Sequence, residues 1–357
     1  MKVLVISNLY PSKKAPYHGS FVKEFVKQIK SDNRVNQVDC ALLRGWHSGV
    51  MVKLWLYVKF YLAILYRLVF FNYDLVYIHL ITHSTLPVWL VSKFKQLNLV
   101  FNIHGEDLLV TTPLAKRLLR LALPLLYKSQ NVVVPSYYFR SVMMDKLPKL
   151  DKDKIIVSPS GGVSELFFGM PHTYAGKTRF KVGYVSRIDR GKGWDVLLKA
   201  TELLGDQIPL EMAIVGGGYE VAQLKTRLQE SGLKNVNYVG PIGHDDLPRF
   251  YASLDLFVFP TLLRESLGLV GLEAMAAGVP VIASRIGGIQ DYVRDGENGF
   301  FFKTGDAEDL TAKIRKFLSL PADSKDWMSR IAVETATRYR SQNVSDELFN
   351  KILRITR

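Results

Sequence analysis

Twelve short apolar runs, six in each half of the chain, alternate with stretches of helical spacing, and that alternation restricts the fold to parallel sheets with crossover helices. In the first half the runs are Lys2–Ser7, Gln37–Leu42, Asp74–Ile78, Leu99–Ile103, Asn131–Val134 and Lys154–Val157. In the second they are Phe180–Val185, Leu210–Val215, Val236–Val239, Leu256–Phe259, Pro280–Ala283 and Gly299–Phe302. Helical patterns such as Phe21–Ile29 and Leu114–Tyr127 fall between them, and the chain from Asp306 onward reads as helix throughout. With 357 residues there is length for two domains. The stretch Ser158–Lys177, with Pro159, Gly161, Gly162 and Pro171, reads as the connection between them. A single cysteine, Cys40, excludes an internal disulfide and fits a reducing compartment. The opening Met1-Lys2-Val3-Leu4-Val5-Ile6-Ser7 turns polar too soon for a signal peptide and reads as a first buried strand, so a cytoplasmic location is expected.

Charge is uneven. The chain carries +14, and residues 1–170 hold 22 Lys and Arg against 10 Asp and Glu, so nearly all of the excess lies there. A one-sided excess points to an anionic partner, nucleic acid or membrane. Residues 51–71 are apolar and aromatic but interrupted by Lys53, Lys59 and Arg67, which argues against a spanning helix. Leu54, Tyr57, Val58, Tyr61, Ile64, Leu65 and Leu68 recur at helical spacing. That stripe fits a helix packed on the sheet, and equally one that also rests on a membrane surface.

The most informative stretch for chemistry is Arg264-Glu265-Ser266-Leu267-Gly268-Leu269-Val270-Gly271-Leu272-Glu273-Ala274-Met275-Ala276-Ala277-Gly278-Val279-Pro280-Val281. An apolar run before it and the helical pattern Leu269–Ala277 place Glu265 on a loop after a strand and Glu273 about a turn inside the next helix. Gly268 allows close backbone approach, and the free N–H groups of Leu267, Gly268, Leu269 and Val270 at a helix start suit an anion. Two carboxylates around a phosphate cradle match a ligand with hydroxyls at both ends and a diphosphate between them, as in a nucleotide sugar.

This segment resembles the signature of the retaining nucleotide-sugar glycosyltransferases of family 4, which pairs Glu with Glu eight positions on and continues Ala-Met-Ala-x-Gly-x-Pro-Val. The resemblance extends over nearly the whole chain and is most specific from Lys181 to Phe302. It implies an α/β fold of the GT-B type, with two Rossmann-like parallel-sheet domains facing a cleft. The expected division is residues 1–165 for the acceptor domain, 166–178 for a linker, 179–341 for the donor domain, and 342–357 for a helix returning to the first domain.

By the same resemblance Glu273 would bind ribose hydroxyls and Glu265 the sugar. In Val185-Ser186-Arg187-Ile188-Asp189-Arg190-Gly191-Lys192-Gly193, the loop after a parallel strand, Arg187 and Lys192 would clamp the diphosphate. Ser186 stands where the family usually has glycine. Gly216 in Val215-Gly216-Gly217-Gly218 would line the nucleotide pocket, and the backbone near Ile242 would meet the base. In Tyr17-His18-Gly19-Ser20, Gly19 and Ser20 would close over the phosphates, although relatives commonly show Gly-Gly there and Ser20 also reads as an ordinary helix N-cap. In His104-Gly105-Glu106-Asp107, His104 would donate to a sugar hydroxyl, while Glu106 and Asp107 both remain open as groups orienting the acceptor.

Other chemistries find little support. Asp151-Lys152-Asp153 spells a metal-binding Asp-x-Asp but sits among lysines. No His/Cys cluster with ligand spacing, no Walker motif and no Gly-x-Ser-x-Gly elbow occurs. The expected reaction is therefore metal-independent, retaining sugar transfer, with no cofactor besides the nucleotide-sugar donor. The acceptor would be a glycan or lipid-linked intermediate, met through peripheral contact with the inner face of the cell membrane. A nucleotide-sugar epimerase on the same fold is the rival enzyme. A nucleic-acid-binding protein is the rival class, although no reading element for it is present.

Overall fold

The computed structural model describes residues 1–12, 19–45, 49–105, 107–110, 112–169, 172–205 and 208–353. It divides into two compact units, residues 1–161 with 342–357, and residues 162–341.

The first unit holds strands β1 (Lys2–Tyr10), β2 (Gln37–Arg44), β3 (Leu75–His79), β4 (Leu99–Asn102), β5 (Asn131–Val134) and β6 (Ile155–Val157), in the order β2-β1-β3-β4-β5-β6. All neighbours run parallel. Successive residues of β1 enter opposite cores: Leu4 and Ile6 join one cluster, Val3 and Val5 the other. A strand buried on both faces reads as the continuous apolar run seen in the sequence. One face is covered by α2 (Val50–Phe70), α3 (Ile81–Val91), α4 (Pro113–Lys128) and α5 (Tyr137–Lys146). The other is covered by α1 (Ser20–Ser31) and by the last helix of the chain, whose Leu348, Phe349 and Ile352 pack with Val22, Phe25 and Ile29. The terminal segment thus returns to the first unit.

The second unit holds β7 (Phe180–Val185), β8 (Leu210–Val215), β9 (Val236–Gly240), β10 (Leu256–Phe259), β11 (Val281–Ser284) and β12 (Gly299–Phe302), ordered β12-β11-β10-β7-β8-β9. These pairs are also parallel, and the order is that of a doubly wound Rossmann sheet. The helices α6 (Trp194–Leu204), α7 (Val221–Ser231) and α10 (Ala307–Ser319) cover one face, and α8 (Leu247–Ala252), α9 (Leu269–Ala276) and α11 (Ala322–Thr337) the other. After α11 comes α12 (Ser341–Ile352), the helix that packs on the first unit. In such sheets ligands bind beyond the strand C-termini where the winding reverses, here between β7 and β10, and in the first unit between β1 and β3.

Two expectations change. The segment expected as a linker, 166–178, is tied down within the second unit from His172 on. Asp255, 1% exposed, bonds the His172 ring at 3.3 Å, the Lys177 ammonium and the Lys181 N–H at 2.8 Å, while its carbonyl accepts from Tyr174 at 2.6 Å. A single buried carboxylate thus makes a Pro- and Gly-punctuated stretch part of the domain. The second change concerns α2. Tyr57, Phe60, Tyr61, Ile64, Leu65 and Leu68 face the core as the stripe requires, but Leu54 and Val58 are 58% and 47% exposed. Its first turns, residues 50–55, are exposed, and burial against the core begins only further along the helix.

Candidate active site

In the second unit, the loops after β7 and β10 meet at the switch point. The Leu262 N–H donates to the Gly191 carbonyl at 2.8 Å and ties them together. Lys192 Nζ reaches Glu265 Oε1 at 2.8 Å, with both side chains largely buried. The Thr261 hydroxyl donates to the same oxygen at 3.0 Å and accepts from the Leu263 N–H at 3.2 Å. Glu265 is therefore aimed by its neighbours rather than free on a loop. Behind it, Gly287 at φ +62° lies so close that a Cβ would stand 2.5 Å from the Glu265 carbonyl oxygen, and the Gly288 N–H donates to that oxygen at 2.8 Å. A side chain at 287 would push the Glu265 backbone out of place.

Gly268 has a packing role besides the expected one. Its backbone is left-handed at φ +86°, and a Cβ would meet the Phe259 ring at 2.7 Å. The glycine is demanded by packing beneath the loop as well as by any ligand above it. Gly268 caps α9, with the first-turn N–H groups of Leu269 and Val270 following, Leu267 buried before it, and the Tyr292 hydroxyl donating to the Gly268 carbonyl at 2.8 Å. Glu273 lies one turn into α9, where its carboxylate accepts from the Tyr251 hydroxyl at 3.2 Å. Burial pushes the Glu273 carboxyl up to about 7, against which the Tyr251 bond pulls it down.

Arg187 is the looser cation. Its side chain is 65% exposed and pairs with Asp189 at 3.1 Å, so it reaches a ligand only by leaving that partner. Asp189 is itself fixed by the Tyr219 N–H at 2.8 Å. Gly216 follows β8, donates its N–H to the Gly240 carbonyl at 3.0 Å and accepts from the Tyr238 hydroxyl at 2.7 Å. Ile242, after β9, packs half-buried on the core below.

In the first unit, Gly19 rather than Ser20 is the N-cap of α1. Its left-handed backbone starts the helix and no side-chain cap is made, so Ser20 is the first helical residue and exposed. Tyr17 and His18 lie outside the described residues, as does Glu106. His104 follows β4 with its ring half-buried against Phe21 at 4.2 Å between centroids. Burial lowers its imidazole to about 3, so the ring is neutral at ordinary pH. Asp107 is 4% exposed and spends both oxygens on the backbone: Oδ1 accepts from His104 and Gly105 at 3.0 Å each, and Oδ2 from Ile81 at 3.2 Å. It fastens the His104 loop to the start of α3. That removes it as a group orienting an acceptor. Burial raises its carboxyl to about 6 despite those bonds.

Asp151 likewise is used locally, its Oδ1 capping the turn Lys152–Lys154 through the Asp153 N–H at 3.0 Å. Among the described residues no cluster of three or more His, Cys, Asp or Glu side chains is placed to hold a metal ion. Thr261, Tyr251, Tyr292 and Gly287 had no sequence signal, because each meets the Glu265–Glu273 segment only through the fold.

Residues 172–332 match the family model of the glycosyl transferases group 1. A D-inositol 3-phosphate glycosyltransferase of Corynebacterium urealyticum is 33% identical over 47% of this chain and 41% of the relative. A GDP-mannose-dependent alpha-(1-6)-phosphatidylinositol monomannoside mannosyltransferase of Mycolicibacterium smegmatis is 32% identical over 49% and 46%. The chain therefore spans less than half the length of these relatives. Anabaena HepE, solved in complex with UDP and glucose, is similar in fold over 99% of this chain and all of its own, with a TM-score of 0.75 and 20% identity. The two six-stranded parallel sheets are those of the GT-B fold, and its second domain carries the group 1 glycosyltransferase pattern.

Proposed function

We propose that the chain is a retaining, metal-independent glycosyltransferase of the family 4 type that moves a sugar from a nucleoside-diphosphate sugar to an acceptor hydroxyl. The observation that carries this reading is the Lys192–Glu265 pair at a Rossmann switch point, one helix N-terminus away from Glu273. Glu273 holds the ribose hydroxyls and Glu265 accepts from the sugar. Lys192, Arg187 and the N–H groups at Gly268–Val270 hold the diphosphate and stabilise the charge that grows on it as the glycosidic bond breaks. His104 has the sugar contact that the family resemblance implies. The acceptor oxygen bonds to the anomeric carbon on the face the phosphate leaves, and its proton passes to the departing phosphate oxygen. No enzymic nucleophile takes part. The UDP and glucose held by HepE support a nucleotide-sugar donor.

The phosphatidylinositol monomannoside in the name of the Mycolicibacterium smegmatis relative supports a lipid-linked acceptor. Helix α2 supports it independently. Met51, Trp55, Val58, Leu62, Tyr66 and Val69 form one exposed stripe at helical spacing, each 44% exposed or more. Lys59 lies over the Trp55 ring at 3.4 Å, and the unit's cation excess supplies attraction to anionic lipid. Among the described residues no helix is long and apolar enough to cross a membrane, so the stripe would lie in the interface.

A thermal-shift screen of nucleotide sugars tests the donor assignment, because a ligand of the folded state raises its melting temperature by mass action. Lys192→Ala should abolish the shift, losing ten- to hundredfold in affinity, since a charged hydrogen bond to ligand contributes about 1.5–3 kcal/mol. Donor turnover to an epimer without acceptor would favour the epimerase reading instead. Activity should survive saturating chelator; loss restored by magnesium or manganese would return Asp151 and Asp153 as ligands.

A further inference from the structure

His79 is a buried titratable group that the proposed reaction does not use. It closes β3 at 1% exposure and sets Nδ1 3.2 Å from Nε2 of His104. The two rings are 14° from coplanar with centroids 5.5 Å apart. Two ring radii plus the N···N gap account for that whole separation, so the hydrogen bond runs nearly straight between the ring centres.

Burial keeps both imidazoles neutral, so one proton occupies the gap. If His104 supplied it, His79 would carry its own proton on Nε2. That atom is buried, and among the described residues it has no hydrogen-bond partner. The His79 ring packs against those of Phe25 at 4.9 Å, Tyr77 at 5.0 Å and Phe21 at 6.0 Å between centroids. An orphaned buried N–H is rarer in proteins than an orphaned acceptor. The proton therefore belongs on Nδ1 of His79, which donates to Nε2 of His104. His104 is left protonated on Nδ1, for which no described residue supplies a partner.

We infer that His79 is a positioning residue that locks His104 as the Nδ1–H tautomer, so that His104 offers its ligand a hydrogen-bond donor and not a base. The matching ligand atom is an oxygen lone pair, a sugar hydroxyl or phosphate oxygen. The consequence for turnover rests on the donor-sugar reading of His104; the tautomer itself does not.

The full chain labelled with ¹⁵N-histidine tests it by two-dimensional imidazole correlation spectra, with His104→Asn identifying the His104 signals among the seven histidines. Wild type should show His104 with a pyrrole-like Nδ1 and a pyridine-like Nε2. His79→Phe should release that pattern and lower kcat about tenfold or more, with KM for the nucleotide sugar moving less than about twofold. His79→Asn, whose amide N–H can stand in for Nδ1–H, should restore most of both. A wild-type spectrum with the His104 proton on Nε2 overturns the inference, whatever the variants do. A tautomer released in His79→Phe with kcat unchanged upholds the lock and removes His104 from the reaction.

Discussion

Glu273 gives the proposed donor site a proton switch. Its carboxyl titrates near 7 in the free protein because α9 buries it with a single hydroxyl partner. Two ribose hydroxyls donating into it would favour the charged form and draw the proton off. Nucleoside-diphosphate affinity should therefore rise with pH through about 7 and level off above. Binding near pH 6 should release close to one proton, visible in titration calorimetry as a heat that depends on the buffer's ionisation enthalpy. No such dependence would remove Glu273 from the ribose. Stability runs the other way. The folded value lies above the unfolded one near 4.5, so the contribution is full below that pH and lost as pH rises through 7. Glu273→Gln should accordingly be as stable as wild type or more so at pH 8, while losing nucleotide affinity. Glu265, Glu273 and Lys192 were legible in the sequence because motif spacing and a loop after a strand are local properties. Thr261, Tyr251 and His79 were not, since what they do depends on the partner the fold brings within 3.2 Å.

At the scale of elements, strand order needed the structure but the positions of strands such as β10 and β12 did not, because a strand buried on both faces has no polar positions to blur it. Asp255 shows where such reading stops. It stands between α8 and β10, just before an apolar strand, yet fixes His172, Tyr174, Lys177 and Lys181 and so turns an apparent linker into part of a domain. Burial alone would raise its carboxyl, but the bonds from His172, Lys177 and the Lys181 N–H hold it below the usual carboxylate value. A depressed folded value contributes stability above the unfolded value near 3.8 and loses it as pH falls. Asp255→Asn should cost about 2 kcal/mol at pH 7 in urea unfolding, with the gap to wild type closing only as pH falls below 3.8. A gap that stays constant would mean that the carboxylate's shape, not its charge, holds the segment. Gly287→Ala belongs to the same scale: by displacing the Glu265 backbone it should lower turnover more than it lowers stability.

For the whole molecule, the exposed stripe of α2 and most of the cation excess of residues 1–170 fall in the same unit, and together they support the proposed membrane contact. The charge was countable in the sequence, but the stripe was not. The apolar residues of 51–71 cover most of the helix surface, and only packing shows that Phe60, Ile64 and Leu68 go inward while Trp55, Leu62 and Tyr66 stay out. A helix of 21 residues lies about 31 Å along an interface. Each nearby Lys or Arg adds about 1 kcal/mol of attraction to anionic lipid. The full chain should co-sediment with vesicles containing phosphatidylserine more than with neutral vesicles at low salt. High salt should remove the lipid discrimination, since a Debye length near 3 Å at about 1 M screens surface charge, while the apolar contact retains a smaller, lipid-independent fraction. Trp55→Glu with Leu62→Glu should abolish pelleting at both salts without lowering the melting temperature, because both side chains are more than half exposed. Equal, negligible pelleting of wild type with both lipids at low salt would separate α2 from the membrane and point to a soluble acceptor.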